Sequence, residues 1–329
     1  MPAAARVDPK DFFTAEEWAT LSPRSSWKGL ALMAHCWAVI LAAGAMAVKW
    51  PITIPLAVMI IGARQLGLGI LNHDAAHGAL HPNLKVNDWA GDRLTAGGLA
   101  EYRKYHLGHH KYAQQDEDPD LGLSAPFPIT RQSLKRKIIR DLTGQTHFKQ
   151  RWAPFFKRLR EPKPGETRAG IAWKFLVYRK RFFIGAAVTI ALTAPFGAWW
   201  AWFVLWWLPQ ATWYPMVTRL RNIAEHACVP QGEPDPLRHA RTTHANILER
   251  IFLAPYWVNY HCEHHMFMHV PCYNLPKVHR LLKEKGVLPR MLTAPSYVDV
   301  LRQASSRPPE HDSRGPTPEE RGVVRTAAL

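Results

Sequence analysis

A helical integral membrane fold, with four transmembrane helices in two hairpins, is what this sequence predicts, and three observations predict it. Two apolar blocks, Gly29 to Ile70 and Phe182 to Val217, are each long enough for two bilayer-crossing helices, which need about 20 mostly apolar residues. Turn-forming residues break both blocks: Lys49-Trp50-Pro51 in the first, Pro195-Phe196-Gly197 and Pro209-Gln210 in the second. The basic residues lie outside the hairpin turns, with about twenty Lys and Arg between His73 and Lys180 and only Lys49 in a turn. Loops rich in Lys and Arg stay cytoplasmic, so the turns face away from the cytoplasm and both termini face it.

The elements follow in order. Residues 1–27 form a cytosolic or interfacial segment, in which Thr14-Ala-Glu-Glu reads as a helix N-cap followed by acidic residues in the first turn. The charges at Asp8, Lys10, Asp11, Glu16 and Glu17 argue against a cleavable signal peptide. Transmembrane helices are expected near 29–48, 52–71, 173–194 and 198–217. Between the hairpins, from Pro82 to Tyr178, the chain is polar and basic with aromatic pairs, and reads as interfacial helices and loops. The main domain spans 28–302. The tail, 303–329, is rich in Pro, Glu and Arg and is expected to be disordered.

The net charge of +16 raises a nucleic-acid role, which the absence of any nucleic-acid motif and the apolar flanks of the basic segments oppose. Anionic lipid headgroups are the better counter-charge. The four cysteines, Cys36, Cys228, Cys262 and Cys272, show neither C-x-x-C pairing nor a secreted framework. Cys262 lies one position past His261, where it points off that helix face.

The chemistry concentrates in histidine. His73-x-x-x-His77, His106-x-x-His109-His110 and His261-x-x-His264-His265 have helix-face spacing, and Asn222-x-x-x-His226 completes the set. One such pair alone is more often surface chemistry than a ligand set. Repeated four times, the pattern reads as a polyhistidine metal site. Imidazole suits Fe, Cu, Zn or Ni, and nine histidines with an asparagine exceed one ion's coordination, so two metals are the natural reading. The first cluster closes the second helix and Asn222/His226 follows the fourth, which sets the site just outside the bilayer.

His73-Asp-Ala-Ala-His77-Gly, His106-Leu-Gly-His109-His110 and His261-Cys-Glu-His264-His265 resemble the three histidine boxes of the membrane fatty acid desaturase superfamily, and the likeness covers roughly residues 25–300. The resemblance implies an all-α fold whose cytosolic helical cap holds a di-iron site. The implied ligands of two Fe ions are His73, His77, His106, His109, His110, His226, His261, His264 and His265, with Asn222 acting through water or weak coordination. It also implies O2-dependent introduction of a double bond into a lipid acyl chain. Hydroxylases and carotenoid ketolases of the superfamily use similar boxes and are the alternative; a membrane metal-handling protein is a remote one. No His-Pro-Gly-Gly haem motif occurs, so electrons are expected from a separate ferredoxin or cytochrome b5 type carrier, steered by basic runs such as Lys135-Arg136-Lys137. Around the ligands, Asp74, Asp116, Asp118, Asp120, Glu225 and Glu263 are candidate partners of the imidazole N–H groups. Arg64, inside an apolar span, and Arg221 are expected to support the site from beneath. His269, four residues past His265, is expected to lie off the metals, as are His35, His81, His147, His239, His244, His279 and His311.

Overall fold

The computed structural model describes residues 4–95 and 97–308. The chain opens with α1 (Ala15–Leu21), started by a capping box in which Thr14 Oγ1 accepts from Glu17 N and the Glu17 carboxylate accepts from Thr14 N. Such a cap adds about 1 kcal/mol to a helix this short. α2 (Lys28–Lys49) stops before Trp50-Pro51, and α3 (Ile54–Ala76) follows a single 3-10 turn. Among the described residues these two helices, the second counted from Pro51, are long and apolar enough to cross a membrane.

α3 ends at Gly78, which takes the left-handed φ of +67° that closes helices cheaply only for glycine. Its last carbonyls are claimed by other elements. α4 (Leu84–Arg93) supplies Asn87, whose Nδ2 donates to Ala75 O at 2.9 Å. α5 (Leu99–Lys111) supplies Arg103, which donates to Ala76 O at 3.0 Å and Ala75 O at 2.9 Å and also pairs with Asp88. α4 lies so close to α3 that a methyl group at Gly91 would come within 2.5 Å of Ala75 Cβ. These contacts dock the end of α3 against α5, so the first two histidine motifs meet.

Short helices follow: α6 (Leu121–Ser124), α7 (Arg131–Leu142), α8 (Gln145–Arg151), α9 (Ala153–Arg160), α10 (Arg168–Tyr178), α11 (Lys180–Thr193) and α12 (Leu208–Ala211). The second apolar hairpin is thus not two continuous helices. The stretch expected at 173–194 breaks at Arg179 (φ −97°, ψ 14°), whose guanidinium sits over the Trp152 ring and donates to Arg151 O. In the stretch expected at 198–217, Pro209 cannot donate to the preceding turn, and a π turn at Phe203–Trp207 precedes it. α13 (Trp213–His226) then runs past the expected end, carrying Asn222 and His226 on the same helix.

α14 (Ile247–Phe252), α15 (His261–Met266), α16 (Leu275–Glu284) and α17 (Tyr297–Ala304) complete the helices. Two three-residue strands, β1 (Arg241–Thr243) and β2 (Leu292–Ala294), pair in parallel with Arg241 opposite Leu292 and Thr243 opposite Ala294. They are a small exception to an otherwise helical chain. Packed structure continues past residue 303: Ile129 N donates to Ala304 O, Arg307 N donates to Ile129 O, and Ser306 bridges Thr130. The rest of the expected disordered tail, and His311 within it, lie outside the described residues.

The described residues divide into two compact units. One comprises those up to Ala38, Ala63–Lys135 and those from Val217 onward. Its core holds Leu68, Leu71, Leu80, Ile223, Val278, Leu282 and Tyr297, all buried. The other comprises Val39–Gly62 and Arg136–Met216. Within it Trp213 fills the notch at Gly62, where a Cβ would come within 2.8 Å, and Phe155 stacks on Phe175 at 3.9 Å between ring centroids.

Candidate metal centre

Every histidine of the four sequence motifs lies in the first unit, and the fold sorts them into two groups. His73, His77, His106, His110 and His264 form one; His109, His226, His261 and His265 form the other. Within each group the ligating atoms lie within 4.8 Å of one another. Helical geometry does the sorting. Residues i+3 and i+4 both lie near the face of residue i but on opposite sides of it, about 100° apart around the axis, and i+4 is the better aligned of the two. On α5, His106 and His110 therefore enter the first group while His109 enters the second. On α15, His261 and His265 enter the second while His264 enters the first. Each His-x-x-His-His motif serves both groups, and the end of α3 and the end of α13 serve one each.

The rings converge through their Nε2 atoms. His106 and His264 each approach His110 at 3.0 Å in the first group. In the second, His261 Nε2 lies 2.9 Å from His226 Nε2 and 3.2 Å from His265 Nε2, and His109 Nε2 lies 3.3 Å from His265 Nε2. Both ring nitrogens of His73 and of His77 are buried without a hydrogen-bond partner. A buried polar atom without a partner costs about 1–3 kcal/mol. So many converging nitrogen lone pairs are satisfied together only by cations, and the donor set fits metal on that ground.

Protonation points the same way. Burial pushes His77, His106, His110, His226, His261, His264 and His265 well below the ordinary imidazole range, and neighbouring imidazoles add to the effect. They stay neutral at neutral pH, the form that ligates metal. His109 goes the other way. Burial opposes its charge, but Asp118 and Asp120 outweigh burial and raise it.

That carboxylate contact is the best-formed support in the centre. His109 Nδ1–H donates to Asp118 Oδ1 at 2.8 Å, which leaves Nε2 facing its group. Asp118 is held by Gln114 N at 3.0 Å on Oδ2 and Asp120 N at 2.8 Å on Oδ1. Asp120 accepts in turn from the Tyr105 hydroxyl. Asp116 is exposed and has no part in this. Asp74 lies 3.7 Å from His73 Nδ1 and accepts instead from Cys272 N at 2.9 Å. Glu263 turns away from the ligands to His279 Nδ1 at 2.5 Å and to the Thr242 hydroxyl. Glu225 is buried, clasped by both ends of the Arg221 guanidinium, with Oε2 3.4 Å from His261 Nε2.

Asn222 is half-buried on α13, one turn before His226. Cys262 donates its thiol to Leu237 O and stays off the centre. His269 joins neither group: it is exposed, with Nδ1 3.2 Å from His77 O. Arg64 donates to Ile251 O at 2.6 Å rather than to any ligand.

Sequence reasoning missed Gln114. It is buried, holds a left-handed φ of +60°, and places its side-chain amide 3.4 Å from His226 Nδ1 while its N–H supports Asp118. It therefore links supports of two ligands in one group. No motif spacing marks it, and its positive φ is a property of the folded chain that the sequence does not display. Tyr102, stacked flat on His106 with centroids 5.5 Å apart, was missed likewise.

A small cavity of about 10 Å³ lies among His73 and His264 of one group, His261 of the other, and the apolar Ile70, Val258 and Leu275. Asp74 and Cys272 complete its lining, so histidines of both groups meet there beside a carboxylate as well as aliphatic side chains.

The chain is similar to known proteins in keeping with this geometry. A relative, the dihydrorhizobitoxine desaturase of Bradyrhizobium elkanii, is 28% identical over 241 residues, covering 69% of this chain and 67% of that protein. The model of the family described as fatty acid desaturase matches residues 49–294, a stretch that contains all three histidine boxes and Asn222/His226. The chain belongs to the fatty acid desaturase family.

Proposed function

We propose that this protein is an O2-dependent membrane desaturase that introduces a double bond into a lipid acyl chain at a two-iron centre. The observation that carries the reading is the division of the boxes into two buried histidine groups that share α5 and α15. The first iron would be held by His73, His77, His106, His110 and His264. The second would be held by His109, His226, His261 and His265, with Asn222 beside them. Bound iron supplies O2 activation and the oxidising power to break unactivated C–H bonds. In balance, two hydrogens leave adjacent methylene carbons, and with O2, two electrons and two protons they give the alkene and two waters.

The chain's own residues do the rest. Neutral imidazoles leave the ions more of their positive charge than carboxylates would. Asp118 fixes the His109 tautomer, and Gln114 steadies His226. Ile70, Val258 and Leu275 place aliphatic side chains beside His73, His261 and His264. The name of the bacterial relative, a desaturase, supports desaturation over hydroxylation. We further propose four membrane crossings, with the centre and both termini cytoplasmic, and electrons from a separate ferredoxin or cytochrome b5 type carrier.

Expression in a host of known lipid composition, followed by mass spectrometry of its lipids, tests the reading. Loss of two hydrogens from an acyl chain supports it. Gain of one oxygen would instead assign hydroxylation, and an unchanged lipid profile from iron-loaded protein with a supplied carrier would refute both.

A further inference from the structure

The segment between β1 and α15 supplies no histidine to either group. It is a loop closed at its neck. Thr243 N donates to Asn259 O at 3.1 Å, Asn259 Nδ2 donates to Thr243 O at 3.1 Å, and Thr242 bridges Tyr260. Residues 244–258 make the excursion, with α14 on it. α14 is uncovered on its apolar side: Ile247 is 74% exposed, Leu248 63% and Ile251 43%. Three large aliphatics bared by a six-residue helix mark a surface made for an apolar partner.

Two further observations identify that partner. The first is depth. The Ile251 carbonyl accepts from Arg64 Nη2 at 2.6 Å. Arg64 stands on α3 nine residues before His73, about 13 Å along the axis at 1.5 Å per residue. It belongs to the apolar run of a helix long enough to span a bilayer, whose half-thickness is about 15 Å of hydrocarbon. The arginine that looked misplaced in the sequence is the donor to a C-terminal carbonyl of α14, one of the four that a helix leaves unsatisfied.

The second is how the backbone is served. Irregular backbone at membrane depth is tolerated only where protein covers it. Asn246 and Glu249 form a reciprocal capping box, and Glu249 O accepts from both Leu253 N and Ala254 N at 2.7 Å. The irregular return, Ala254, Pro255, Tyr256 and Val258, is buried although α14 is not. Tyr256 and Trp257 hold left-handed φ values of 54° and 58°, and the Tyr256 ring fills the notch at Gly67 of α3, where a Cβ would come within 2.8 Å of it.

We propose that residues 244–258 form a re-entrant loop that dips from the metal centre into the adjacent bilayer leaflet, with Ile247, Leu248 and Ile251 among lipid acyl chains. Val258, at the loop's return, lies beside His73, His261 and His264 at a small cavity, so the loop runs from the hydrocarbon layer to the edge of the centre. The exposed Arg250 reaches headgroups along its own aliphatic stem. The inference rests on the reading that α2 and α3 cross a bilayer, and the test separates the two.

The full chain with C228S, which removes the one half-exposed thiol, carries an environment-sensitive fluorophore at L248C in phosphatidylcholine vesicles. Parallel variants carry it at L41C, on the exposed side of α2, and at K283C, on the exposed side of α16. Brominated acyl chains quench from within the bilayer and iodide from water. The L248C and L41C labels are expected to be quenched by bromolipid about threefold or more over K283C, with iodide showing the reverse order, as for groups seated below the headgroups. If L41C behaves this way while L248C matches K283C, the loop proposal is overturned and the membrane reading stands. If L41C also resists bromolipid, both fall. Protection of L248C from both quenchers assigns the face to a protein partner and overturns the proposal as well. None of these outcomes depends on enzyme activity.

Discussion

Asp118→Asn is the sharpest perturbation the centre allows, because it keeps shape and removes one charge. Asp118 accepts three hydrogen bonds: from His109 Nδ1 and Asp120 N on Oδ1, and from Gln114 N on Oδ2. An amide cannot accept on both sides. With its oxygen toward His109, its NH2 faces the Gln114 N–H, donor against donor, at a buried position. Leaving such a pair unsatisfied costs about 1–3 kcal/mol. That cost falls on the fold with or without metal; separately, loss of a carboxylate behind a ligating histidine typically costs about 10–100-fold in metal affinity, or about 1.4–2.7 kcal/mol. The loss should be selective. His109 belongs to the second group, so iron per chain should fall from two toward one under a competing chelator while the five-histidine group stays filled. D116N is the control, since Asp116 is exposed and touches no ligand. Iron analysis after chelator challenge, with turnover measured on the same samples, is the assay. Equal iron retention in D118N and D116N would refute the argument, and so would loss of both ions together with the fold intact by circular dichroism.

Other outcomes follow from the same geometry. H110A should empty the first group and H226A the second, each with loss of turnover, whereas H269A should retain full metal content; iron stoichiometry checks all three. G91V forces a side chain into a space where even a methyl group would come within 2.5 Å of Ala75 Cβ, so thermal unfolding should show a loss of about 1–3 kcal/mol, and an unchanged midpoint would contradict the close docking of α4 on α3. His147 is buried, and burial first, then Arg151 and Arg179, push its pKa from 6.5 to about 4. Below pH 6.5 the unfolded chain takes up a proton that the folded chain refuses, so this site withdraws up to about 3 kcal/mol of stability as pH falls from 6.5 toward 4. H147Q should lose less stability over that window than the native chain, measured by denaturant unfolding in detergent; identical slopes would count against it.

Much of this protein is legible along the chain because helical periodicity is local. Spacings of three and four residues announced every histidine that the fold gathers, and the apolar runs announced α2 and α3. The same locality explains what stayed hidden. Which helix ends meet is a tertiary matter, and for α3 and α5 it rests on Arg103 and Asn87 claiming the terminal carbonyls of α3, residues no motif marks. Six acidic residues near the motifs looked alike as supports, yet only Asp118 makes a close contact to a ligand Nδ1, because its loop is folded back by the strained backbone at Gln114. The second hairpin, expected at 173–194 and 198–217, is instead interrupted at Arg179, whose side chain finds partners outside its helix, and at Thr212, just after Pro209 and the π turn that precedes it. Arg64 shows the division most plainly. Its sequence context says only that a charge in an apolar span needs a partner. That the partner is the Ile251 carbonyl, 187 residues away in the chain, was decided by tertiary packing, since a hydrogen bond between distant segments leaves no periodic trace in either of them.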